Sequence, residues 1–341
     1  MKRTSGLAVL LLLAACGGDG TMMMGSVDAT VPRDSAGSSD GPAVTPPDMA
    51  PPAVDMTPGV DSASSDKLTV FTIVLENHDY AEIVGSSYAP YINQLIAQYG
   101  LATNYTDSTV HPSLPNYLEM VSGDPQYPGL LDCDPAAFCI SKFGNFPVDK
   151  DNLGHQLTAA NIPWRSYQED MVDPCRLTSN GHYAPKHDPF LYFTNIQKDM
   201  SGLCAATNVD YTNFAADLAA GQYRYMWITP NLINDGHDGE ANAALKVSDD
   251  WCALEIPKIM ASNAYKHGGI IFLTWDEGAG RAENTKSHIP MIVISEKIHS
   301  HGYQSGVAYN HASYLATVED LFSLPRLGHA VMAPTMTEFW Q

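Results

Sequence analysis

Uninterrupted apolar, β-branched runs alternate along this chain with amphipathic stretches, and several of the apolar runs end abruptly in polar clusters. Residues 68–75, Leu-Thr-Val-Phe-Thr-Ile-Val-Leu, predict a buried first strand that stops at Glu76-Asn77-His78-Asp79. Residues 89–100 predict a helix with Tyr91, Ile92, Leu95 and Ile96 on one face and Gly100 as its stop. Further helices are expected over 152–161, 213–220, 241–262 and 310–323, and strands over 162–167, 223–229, 269–274 and 288–295. Trp251 and Leu254 are assigned to the core from the long helix, and Leu315, Val318, Leu321 and Phe322 from the last one. Alternating strand and helix signals predict a three-layer α/β/α sandwich with a mainly parallel central sheet.

Open sheets of this kind place ligands beyond the carboxyl ends of their strands. Three predicted strand ends are rich in oxygen or imidazole groups: Glu76-Asn77, the run from Asn234 to Asp238, and Asp276-Glu277. Adjacent carboxylates at a buried strand end are costly unless a cation or a proton compensates them. Ser113, in Val-His-Pro-Ser-Leu-Pro-Asn-Tyr (110–117), reads as a helix N-cap with Pro115 in the first turn. A hydroxyl there faces free N–H groups and the positive end of the helix dipole, although most such serines only cap. The loop 183–190 brings together Lys186, His187 and Asp188, as a site or as a surface ion cluster. His155 reads as a packing or surface residue.

The front of the chain is different. Residues 1–15 have a basic start, an apolar run and small residues before Cys16, which describes an export signal too short to span a bilayer. Residues 16–66, rich in Pro, Ser, Gly, Ala and Asp, lack periodicity and predict a disordered acidic tether. Residues 67–341 are then long enough to form one sizeable α/β domain. The net charge of −20 disfavours nucleic acid as a partner, because phosphate would be repelled. Of the six cysteines, Cys16 lies at the end of the export signal, and in the rest of the chain Cys133–Cys139 and Cys175–Cys204 are the expected disulfides, leaving Cys252 beside Trp251. No C-x-x-C spacing points to a thiolate metal site.

Taken in order, Glu76-Asn77, His111-Pro-Ser113-Leu-Pro-Asn-Tyr117, Lys186-His187-Asp188-Pro-Phe190, the 230–238 segment, Trp275-Asp276-Glu277-Gly278, His288-Ile-Pro290 and 309–322 resemble the exported bacterial phosphoesterases of the acid phosphatase and phospholipase C type, in the alkaline-phosphatase-like superfamily. Leu-Ala-Ala-Cys16 likewise resembles a bacterial lipobox, which implies lipid on Cys16 and an extracytoplasmic, membrane-anchored protein of the cell envelope. The family resemblance implies Glu76, Asn77, Asp276 and Glu277 as metal ligands, with Ser113 as nucleophile completing the shell. It places His187, His237 and Asp238 at phosphate-binding and acid–base positions, with His288 a further catalytic candidate. Asp188 stands where the family pattern has Asn. The implied cofactor is a divalent cation, Mg, Ca, Mn or Zn, and the implied substrate a small-molecule or lipid phosphate ester hydrolysed through a phosphoserine. A phospholipase C and a non-catalytic ligand-binding lipoprotein are the alternatives to a phosphomonoesterase.

Overall fold

The computed structural model describes residues 68–125, 132–136, 140–141, 144–279 and 285–340. The export signal, Cys16, the tether and Cys139 lie outside the described residues. Among the described residues no helix is long and apolar enough to cross a membrane.

In chain order come β1 (Val70–Leu75), α1 (Tyr80–Ile83), α2 (Pro90–Gln98), β2 (Gly100–Thr106) and α3 (Ser113–Ser122). The short pair β3 (Ile140–Ser141) and β4 (Gly144–Asn145) precedes α4 (Leu153–Ala159) and β5 (Trp164–Gln168). Next are α5 (Thr194–Gln197), α6 (Leu203–Thr207), β6 (Asn208–Asp210), α7 (Phe214–Ala220) and β7 (Tyr225–Thr229). The chain then forms α8 (Ala241–Ala261), α9 (Asn263–Lys266), β8 (Ile270–Trp275), β9 (His288–Ile294), β10 (Gln304–Ser305), β11 (Tyr309–Asn310) and α10 (His311–Leu321).

All of these strands except β3 and β4, which pair with each other, form a nine-stranded sheet ordered β10-β2-β9-β8-β1-β7-β5-β6, with β11 also on β2. Pairing is parallel throughout except where β9 meets β2 and β8. Every residue of β1, β7 and β8 is buried, because helices cover both faces, which is why these strands read as continuous apolar runs. α2 packs with α8, and α3 packs with α4 and α10. The expected α/β/α sandwich is therefore observed.

Several local expectations differ. Gly100 does not end a helix but opens β2, where a Cβ would come within 2.4 Å of the Phe339 ring. β2 escaped the hydrophobic pattern because its register against β9 shifts between Ala102 and Tyr105 and its side chains are only partly buried. Leu254 is exposed rather than in the core. The buried face of α8 runs through Leu245, Ser248, Cys252, Glu255, Ile256 and Ile259, and Leu254 stands two positions, about 200°, from Cys252. The Cys175–Cys204 disulfide is present, Cys133 is disulfide-bonded, and Cys252 is a buried free thiol.

Candidate active site

β8, β1 and β7 are parallel neighbours, so their polar sequels emerge at one edge. Leu75 is in register with Trp275, and the backbone continues the pairing beyond the strands. Asp276 N–H donates to Leu75 O at 3.0 Å, and Glu76 N–H to Asp235 O at 2.9 Å. Asn77 then turns the chain with φ +58°, a left-handed conformation that Asn tolerates, and its N–H donates to Asp276 Oδ1 at 3.3 Å. Gly278 permits the close approach of the two loops, since a Cβ there would lie 1.9 Å from Asp79 Oδ1.

Ser113 is not the N-cap of α3 but its first residue; Pro112 holds the cap position, and the Leu114 N–H is accepted by Asp132 Oδ1 at 2.9 Å. Pro115 has no N–H to offer Ser113 Oγ, and a carboxylate from another segment claims the hydroxyl instead. The hydroxyl turns to the sheet edge, donating to Glu76 Oε2 at 3.0 Å, with Glu277 Oε1 at 3.5 Å. The motif around it arranges both carboxylates. Tyr117 OH donates to Glu76 Oε1 at 2.6 Å, while Asn116 Nδ2 donates to Glu277 Oε2 at 3.1 Å. His111 bridges Glu277 Oε2 (Nδ1, 2.5 Å) and Thr285 O (Nε2, 2.8 Å). A carbonyl only accepts, so Nε2 carries a proton, and the contact with the carboxylate takes a second one. Burial works against that charge, but the bonds to Glu277 and Thr285 outweigh it and raise the His111 pKa.

The 183–190 loop enters from the other side. Lys186 Nζ lies 3.4 Å from Ser113 Oγ, 2.8 Å from Asp132 Oδ2 and 3.9 Å from Glu76 Oε2. His187 Nε2 is 3.1 Å from Glu76 Oε1, close but poorly aligned for a hydrogen bond, and its Nδ1 faces Asp235 Oδ2 at 3.7 Å. The His187 carbonyl is fixed by Gln168, Trp227 and Thr229. Asp188 takes the Ser166 hydroxyl on Oδ1 at 3.0 Å, and burial pushes its pKa up to about 8. At neutral pH it is therefore a protonated acid, close in shape and hydrogen bonding to the Asn of the family pattern.

Charge at this edge is uneven. Glu76, Asp235 and Asp276 are wholly buried, and Ser113 and Glu277 are each 2% exposed. Burial pushes Glu76 up, but His187 and Lys186 outweigh it and hold it a carboxylate. Burial, then the charges of Glu76 and Glu277, push Asp276 well above the usual range; burial and Glu76 do the same to Asp235. Asp276 Oδ2 and Asp235 Oδ2 are buried without a well-formed hydrogen-bond donor. Among the described residues, no three His, Cys, Asp or Glu side chains already stand in ligand geometry about one point. The orphaned Asp276 oxygen, together with an oxygen-only set drawn from Glu76, Asn77, Ser113, Asp276 and Glu277, nevertheless fits a hard divalent cation.

Not every expected residue is gathered here. His237 is linked to the cluster through its N–H, which donates to Asp235 Oδ1 at 2.8 Å; its half-exposed ring pairs with Asp238 at 2.8 Å on the rim. His288 stacks on Tyr80 of α1 with ring centroids 4.2 Å apart and bonds Thr103 O of β2 at 2.8 Å. The structure adds Lys186, Tyr117, Asn116, His111, Asp132 and Asp235, none of which had been given a role. Asn116 and Tyr117 sit at offsets +3 and +4 from Ser113, a spacing that puts both on the face of α3 that carries the hydroxyl, while His111 precedes the helix.

The profile of the Phosphoesterase family matches residues 85–325. A phosphatidylinositol-3-phosphatase of Mycobacterium tuberculosis is 29% identical over 276 residues, 80% of this chain and 82% of its own. A probable acid phosphatase of Kluyveromyces lactis is 31% identical over 270 residues, 76% of this chain and 59% of its own, so this chain spans about three-fifths of that relative. Among solved structures, a protein of the alkaline phosphatase superfamily from Vibrio parahaemolyticus shares the fold with a TM-score of 0.51 at 12% identity, over 81% of this chain and 72% of its own. A phosphonate monoester hydrolase from Silicibacter pomeroyi does so at 0.54 and 11%, over 80% and 76%.

Proposed function

Because the chain belongs to the phosphoesterase family, whose members hydrolyse phosphoric esters, we propose that it is a metal-dependent phosphomonoesterase with Ser113 as its nucleophile. The observation that carries the reading is the Ser113 hydroxyl, held at a helix start between Glu76 and Glu277 with Lys186 at 3.4 Å. Ser113 Oγ attacks phosphorus, its O–P bond forms as the ester P–O bond breaks, and the departing alkoxide takes a proton to leave as an alcohol. Water then hydrolyses the phosphoserine, restoring the hydroxyl and releasing inorganic phosphate. Lys186 and His187 bind phosphoryl oxygens, and His237 on the rim, oriented by Asp238, delivers a proton to the leaving alkoxide, so that on balance the proton lost by Ser113 ends on the alcohol. Glu76, Asn77, Asp276 and Glu277 would hold the divalent cation, which supplies polarisation of the hydroxyl and screening of the anionic phosphate.

The similarity to a mycobacterial phosphatidylinositol-3-phosphatase supports a lipid-borne phosphate among the substrates. The Cys175–Cys204 disulfide supports an oxidising, extracytoplasmic compartment, in which a lipid on Cys16 would tether the enzyme to the membrane. Ser113→Ala removes hydrolysis of an aryl phosphate while the domain stays folded; retained turnover refutes the assignment. Release of inorganic phosphate, rather than a phosphorylated head group, separates this reading from a phospholipase C.

A further inference from the structure

Asp132 has no place in the chemistry proposed above, yet its two carboxylate oxygens serve two parts of the site. Oδ1 accepts the Leu114 N–H at 2.9 Å, in the first turn of α3, and Oδ2 accepts from Lys186 Nζ at 2.8 Å. The neighbouring backbone is anchored, because Tyr192 OH donates to Cys133 O at 2.6 Å and Cys133 is disulfide-bonded. Lys186 is 14% exposed at its side chain, and a buried ammonium needs a carboxylate partner. Its next carboxylate is Glu76, whose Oε2 lies 3.9 Å away and already accepts the Ser113 hydroxyl.

Without the Asp132 charge, Lys186 would close on Glu76 Oε2 and compete with Ser113 for that oxygen. We propose that Asp132 is a positioning residue that holds Lys186 off Glu76 and ties it to the helix carrying the nucleophile. The cation then stays free to meet a phosphoryl oxygen, and Glu76 stays free to hold the hydroxyl. The inference rests on Ser113 being the nucleophile of a phosphoesterase.

The test compares Asp132→Asn, Asp132→Ala, Lys186→Met and the Asp132→Asn/Lys186→Met double variant in the full chain. Asn keeps an oxygen for the Leu114 N–H but removes the charge. Asp132→Asn lowers kcat/KM on an aryl phosphate about 10- to 100-fold, weakens calorimetric binding of inorganic phosphate, and leaves the unfolding midpoint unchanged. Asp132→Ala loses activity to the same extent and also lowers the midpoint, because the helix start loses its acceptor. In the Lys186→Met background Asp132→Asn costs nothing more. Wild-type kcat/KM and phosphate affinity in Asp132→Asn, or fully additive losses in the double variant, would overturn the proposal. Turnover retained in Ser113→Ala strikes the nucleophile assignment instead; phosphate affinity then still decides, weakened in Asp132→Asn if Asp132 positions Lys186 and unchanged if it does not.

Discussion

Where β8, β1 and β7 finish, Glu76, Asp235 and Asp276 are buried side by side, and two of their oxygens lack a well-formed donor. Where the same strands begin, a cleft of about 1090 Å³ opens between α7, α8 and α9, lined by residues including Tyr211, Phe214, Leu218, Arg224 and Lys258. The cleft is open, but its charges have partners. Glu255 accepts from Lys258 at 2.7 Å and from Tyr211 at 2.8 Å, and Arg224 donates to Leu68 O. Space alone costs a fold little, whereas buried carboxylates facing one another cost a good deal unless something binds between them. We therefore place the chemistry at the crowded edge.

Asp276→Asn breaks that comparison most directly. If the crowded edge exists to hold a cation, removing one negative charge lowers kcat/KM by about a thousandfold and abolishes the rise in unfolding temperature that Mn²⁺ gives the chelator-treated wild type. In chelator the variant unfolds at a higher temperature than wild type, because it no longer has a carboxyl whose ionised form is disfavoured by burial and then by Glu76 and Glu277. An active variant, or one less stable in chelator, would mean that Asp276 is an ordinary core residue.

Tyr117→Phe sharpens the same point with a smaller effect. It deletes only the 2.6 Å bond to Glu76 Oε1 and leaves a buried carboxylate short of a donor. We expect kcat/KM to fall about 10- to 100-fold, with a stability loss of about 1–3 kcal/mol in urea titrations.

These two residues also show what a sequence can and cannot reveal. Asp276 was legible because a wholly buried strand ending in two carboxylates is hard to explain by packing. Tyr117 was not, since an aromatic four residues into a helix reads as core, and its partner lies 41 residues away. Lys186 was visible only as one cation in a loop, because its neighbours Asp132, Glu76 and Ser113 come from three other segments. The N-cap reading of Ser113 failed because it treated the helix alone, without the Glu76 side chain that claims the hydroxyl. β2 was lost to its irregular register, and His288 was named by motif order, which carries no information on the direction its ring takes.

Burial of an acid without a catalytic reason offers a control. Glu319, on α10, accepts the Leu327 N–H on Oε1 at 2.9 Å, has a buried Oε2 without a partner, and is pushed by burial to about 8 from an ordinary 4.5. The folded state thus keeps a proton that the unfolded chain gives up, so this group's contribution is full below about 4.5 and is lost as pH rises through about 8. Glu319→Gln removes the dependence: thermal melts coincide with wild type near pH 4 and favour the variant at pH 9, with kcat/KM unchanged. A stability gap of constant size across that range would mean Glu319 is charged when folded.

The smallest effect belongs to the roomy cleft. Lys258 reaches Glu255 from a side chain that is 53% exposed, and water supplies most of what such a pair gains. Lys258→Ala should change kcat/KM on an aryl phosphate by less than about twofold and stability by less than about 1 kcal/mol. Glu255 keeps its bond from Tyr211, so its carboxylate still has a donor. A large loss of turnover in this variant would reverse the comparison, because it would mean that the opposite edge of the sheet, and not the Ser113 edge alone, takes part in the reaction.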